Sequence, residues 1–81
     1  MAQNTIDTLV SVVESLATEA KALPGHPLHN PPDCDGYVSK AHLARSLYNE
    51  PHRDEANKAI YLWWVTEYVE ILARFVRDLR A

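Results

Sequence analysis

Cysteine is nearly absent from this chain, and its one residue, Cys34, excludes an intrachain disulfide. No combination of cysteine and histidine has zinc-finger spacing, so an 81-residue chain has neither a covalent nor a familiar metal staple to supplement its core. Only about 60% of the unfolded surface of so small a chain is buried on folding, which makes oligomerisation the expected extra stabiliser. Long apolar runs are also missing. The longest spans residues 59–65, far short of the roughly 20 residues of a membrane helix. The opening MAQNTID has neither the basic nor the apolar segment of a secretory leader, so a cytoplasmic setting and no membrane contact are expected. Positive charge is thin. The net charge is −3, and Lys21, Lys40 and Lys58 are scattered, so there is no basic stripe to neutralise phosphates and no nucleic-acid partner is expected. With 47% hydrophobic and 23% charged residues the chain is too apolar to remain disordered.

What is present is helical periodicity, strongest in residues 51–80. Leu62, Val65, Val69, Leu72, Val76 and Leu79 form one seam at alternating three- and four-residue steps, and Tyr61, Trp64, Tyr68, Ile71 and Phe75 form a second beside it. At 100° per residue the two merge into an apolar arc of roughly 200°, wider than one neighbouring helix can cover. Pro51 suits the first turn, Asp54 and Glu55 follow near the positive end of the helix dipole, and Arg74, Arg77 and Arg80 lie toward the other end. Ile6, Leu9, Val13, Leu16, Ala20 and Leu23 make a seam on an earlier helix, which Pro24 and Gly25 end.

Residues 24–38 hold four of the five prolines and both glycines, which stops regular structure and predicts an ordered loop anchored by Leu28, Tyr37 and Val38. Ser39 then reads as the N-cap of a short helix, with Val38 and Leu43 as its hydrophobic staple. The expectation is one all-α domain over residues 1–81, with helices at about 5–23, 39–48 and 51–80. The first helix lies antiparallel on the long one as a hairpin, with the short middle helix beside them, and two copies pair as a dimeric four-helix-type bundle.

Candidate site residues fall into three groups. Trp63 lies on the polar bearing of the long helix with Thr66, Glu67, Glu70 and Arg74. That marks either a contact surface or a patch with Ala56 and Ala59 under the proline-rich loop. His26, His29, His42 and His52, with Asp33, Asp35 and Tyr37, are positioned to converge if the loop crosses one end of the bundle. Imidazole, carboxylate and the Cys34 thiolate would suit a transition metal, but His26-x-x-His29 has no accompanying metal motif, so no metal or other cofactor is expected. Asp33 to Ser39 resembles the middle of an EF-hand calcium loop. Pro31 and His42, however, stand where its first and last ligands belong, and an Asp-Gly turn leading into a capped helix is the simpler reading. Glu70–Arg74 and Arg74–Asp78 are spaced as solvated i,i+4 pairs. No serine sits in a glycine-rich elbow.

Two functions follow as expectations. One is a homo-oligomeric protein-interaction or regulatory module, with a further protein partner at the exposed aromatic surface. The other is a small-molecule or metal-binding bundle, in the extreme a small enzyme, with a His/Asp-lined site at the end formed by residues 26–42.

Overall fold

The computed structural model describes residues 5–23 and 33–80. Within them the chain is all-helical: α1 (Thr5–Ala22), α2 (Cys34–Tyr48) and α3 (Glu55–Arg80). Each helix packs on both of the others. Ion pairs and ring contacts set the directions. Lys21 with Asp35, Glu14 with His42 and Asp7 with Arg45 run α1 against α2 in opposite senses. Tyr37 with Tyr68, and Lys58 over Tyr48, do the same for α2 and α3. Hence α1 and α3 are parallel, and an ion pair joins Glu19 and Arg80 near their C-termini. The expected α1–α3 hairpin is therefore replaced by an up-down-up bundle, in which α2 is a full third layer that reverses the chain between the other two.

The α2 boundary explains the change. This helix begins at Cys34, five residues before the expected Ser39, because Asp33 is a competent N-cap: its Oδ1 accepts from the Gly36 amide at 3.0 Å. The Tyr37 amide then donates to the Asp33 carbonyl at 2.9 Å. Gly36 is a first-turn helical residue with negative φ, not the glycine of an Asp-Gly turn. Its missing Cβ matters for space, since a methyl there would meet the Asp33 carboxylate at 2.4 Å. The staple fails with the cap, and Leu43 is 59% exposed.

α3 begins at Glu55 instead of Pro51. Here Asp54 outcompetes the proline as a start signal, accepting from the Asn57 amide at 2.8 Å while its carbonyl takes the Lys58 amide at 3.0 Å. Pro51 and His52 lie in the preceding turn. Glu50 and Arg53 fasten that turn by an ion pair at 2.9 Å.

The core is small-residue rich. From α1 come Ile6, Val10, Val13, Ala17 and Ala20, from α2 Cys34, Ala41 and Ala44, and from α3 Val65, Leu72 and Val76. On α1 the buried line is turned from the expected seam: Val10 and Ala17 are inside, while Leu9, Leu16 and Leu23 flank it half-buried. A helix packed between two neighbours is covered over a wider arc whose centre is set by both. The alanines let helix axes approach closely, which suits a thin bundle of 45 × 25 × 17 Å.

Candidate functional site

The expected site residues are placed far apart. Asp33 is exposed and occupied in capping α2. Asp35, in the next half-turn, pairs with Lys21 of α1. That hydrogen bond, and then the carboxylate charge, hold the Lys21 ammonium pKa above 10.5. His52 lies beyond the opposite end of α2, a helix of 15 residues and so roughly 22 Å long. His42 sits between them along α2, and Trp63 projects from α3. The histidines and aspartates of residues 33–80 therefore do not converge. His26 and His29, with most of the proline-rich loop, lie outside the described residues. Among the described residues no group of three or more His, Cys, Asp or Glu side chains is arranged to hold a metal ion.

Cys34 is 8% exposed. Burial raises its thiol pKa above 9.0; Lys21 opposes this and the charges of Asp35 and Asp33 add to it. A thiol held protonated at neutral pH is a packing residue and a poor nucleophile. Tyr37 is half-buried, its ring tilted at 46° and 5.2 Å from that of Tyr68, with the Lys40 ammonium 5.6 Å from its centre. Burial, then Tyr37, raises the Tyr68 phenol pKa above 10.0.

His42 has a defined structural task. Its Nε2 lies 2.9 Å from Glu14 Oε1 and its Nδ1 lies 2.8 Å from Arg45 Nη2. A guanidinium only donates, so Nδ1 accepts and Nε2–H donates to the carboxylate, which makes this arrangement that of the neutral imidazole. With Arg45 reaching Asp7 at 4.0 Å, the result is a charged lacing along the α1–α2 seam. Sequence reasoning gave Glu14, Asp7 and Arg45 no part in a site. Their signal would have been opposite charge on two helices read in antiparallel register, which requires the α2 start at Cys34.

Two shallow depressions lie on outer helix faces. One of about 400 Å³ is lined by Glu70, Ala73, Arg74 and Arg77 of α3, the other of about 480 Å³ by Glu14, Ser15, Thr18, Glu19 and Ala22 of α1. Neither contains a histidine, Tyr37 or Trp63. The expected Glu70–Arg74 and Arg74–Asp78 pairs do not form; Asp78 lies instead 3.5 Å from Arg77 Nε.

The distinctive surface is on α3. Ile60, Trp63, Trp64 and Ile71 are 47%, 60%, 38% and 40% exposed, and at 100° per residue they share one side of the helix. Trp64 and Ile71 belong to the second seam, whose Tyr61, Tyr68 and Phe75 are half-buried against the core, while Val65, Leu72 and Val76 of the first are buried. No helix among the described residues is long and apolar enough to cross a membrane. Comparison with protein-family models, curated proteins and solved structures finds no match to the chain.

Proposed function

We propose that this chain is a non-catalytic, homo-oligomeric protein-interaction or regulatory module that makes contact through the outer face of α3. The observation that carries the reading is the group of four large apolar side chains, Ile60, Trp63, Trp64 and Ile71, left exposed on one helix of a thin bundle. Exposed aromatics grouped on one face favour contact with protein, because each ring contributes a large apolar area at little cost in side-chain entropy. The sharing of that face between copies follows from size. A protomer whose fully buried large side chains are Ile6, Val10, Val13, Val65 and Leu72 gains most from the additional core. The expected four-helix-type pairing takes the form that a three-helix protomer permits, with α3 of one copy against α3 of the other. A further protein partner and a cytoplasmic setting complete the reading, and the protonated, buried Cys34 suits a reducing compartment.

The test is the Ile60→Asp/Trp64→Asp double variant in sedimentation velocity at micromolar concentration. The expected result is loss of the oligomer with the helical circular dichroism retained. A variant that sediments like the wild type contradicts the reading.

A further inference from the structure

The outer face of α3 carries a charge pattern that reads as its own complement. Going outward from Leu72, Ile71 and Ala73 stand one residue away, Glu70 and Arg74 two, and Glu67 and Arg77 five. The N-terminal side is acidic and the C-terminal side basic, at matched spacings. Leu72 is fully buried, so its side of the helix faces the core. At 100° per residue the four charged positions fall within about 40° of the meridian opposite Leu72, the same meridian that carries Trp63. Glu70, Arg74 and Arg77 are exposed and Glu67 is half-buried. With the other described residues, Glu67, Glu70 and Arg74 make no ion pair, and Arg77 meets only its neighbour Asp78. Between them lies the hollow of about 400 Å³ at Ala73.

The geometry points to a second copy of this chain as the occupant of that face, docked antiparallel about a two-fold axis through the level of Leu72. This rests on the self-association proposed above and adds its register. A two-fold sets position 72 − n at the height of 72 + n of the partner copy and keeps every residue on its own flank of the contact, with Glu67, Ile71 and Arg74 on one flank and Glu70, Ala73 and Arg77 on the other. Each Glu67 then comes beside an Arg74 of the other copy, each Glu70 beside an Arg77, and the two Ile71 side chains lie on one flank close to the axis. A parallel pairing would instead set glutamate against glutamate and arginine against arginine. Trp63 of each copy comes over the last turn of the other α3. The charges give register and specificity, whereas apolar burial of Ile71 and Trp63 gives affinity, since exposed ion pairs contribute little by themselves.

The experiment is a charge swap on the full chain, followed by sedimentation velocity at micromolar concentration. Arg74→Glu/Arg77→Glu and Glu67→Arg/Glu70→Arg each place like charges across the axis, and each is expected to weaken the dimer at least about a hundredfold. An equimolar mixture of the two is expected to recover a heterodimer, and the fourfold swap on one chain to recover a homodimer. Since these positions lie outside the core, circular dichroism melts verify folding, and the fourfold swap gives an independent reading if either double variant melts early. If the wild type dimerises but the double variants do so equally, or neither the mixture nor the fourfold swap recovers the dimer, this register is overturned while self-association stands. A wild type that remains a monomer overturns self-association, and this inference with it.

Discussion

The two sides of α3 obey different rules. Its inner side, Val65, Leu72 and Val76, is aliphatic, buried and met by small residues of α1 and α2. Its outer side has larger side chains, including both tryptophans, and leaves them in water. A chain selected only to fold alone would gain by exchanging the outer side for polar residues, as the exposed face of α1 largely has. The difference places the stability of the protomer in the inner side and makes the outer side the face on which the proposed contact is to be tested. Substitutions on the two sides should accordingly separate into two phenotypes.

The sharpest separation is expected at Leu72. Leu72→Ala removes a fully buried side chain between three helices and should cost about 2–5 kcal/mol in urea denaturation, a large fraction of what so small a domain has. Trp63→Ala, at a position 60% exposed, should change the denaturation free energy of the monomer by less than about 0.5 kcal/mol, measured by dilution below the association range. Equal losses at the two positions would break the comparison.

Capping changes come next in size. Asp33→Ala should cost about 1 kcal/mol and raise amide exchange in the first turn of α2, starting with Gly36. Asp54→Ala should do the same at Asn57 in α3. If Asp33→Ala were silent, the early start of α2 would lose its physical cause.

Smaller still is the lacing of the α1–α2 seam. A double-mutant cycle on Glu14→Gln and His42→Asn should return a coupling of about 0.2–1 kcal/mol, because both side chains of this hydrogen bond remain substantially exposed.

The pH dependence is the smallest effect and has a definite sign. Cys34 and Lys21 both have pKa values raised on folding, so each contributes fully below its unfolded value and its contribution is lost as pH rises. Stability should therefore decline from about pH 9 through Cys34 and from about pH 10.5 through Lys21. Melts of Cys34→Ala and Lys21→Gln should each remove the corresponding part of the decline. A stability that rises across this window in the wild type and falls in neither variant would contradict the assignment.

The helical class was legible because the apolar positions of α1 and α3 repeat at three and four residues over many turns, a signal that local choices cannot mask. The uncovered arc of α3 was legible for the same reason. The start of α2 was not. Gly36 and the run of prolines before Asp33 read as loop, and the cap that converts residues 34–38 into helix depends on one side-chain hydrogen bond. The topology then misread followed from that boundary, since a middle helix begun at Ser39 is too short to run the length of α1 and return the chain to the end where α1 begins. For the site, chemistry-bearing residue types were read without their places. His42 lies on α2 and His52 in the turn beyond it, and His42 takes Glu14 of α1 as a partner, which periodicity alone does not reveal.

The most direct measurement of the central claim is sedimentation equilibrium of the unmodified chain from one to several hundred micromolar, with tryptophan emission followed over the same range. Shared use of the outer face of α3 predicts a mass rising toward twice the 9.2 kDa of one chain, accompanied by a blue shift as the indoles leave water. A constant mass of 9.2 kDa with unchanged emission would contradict it.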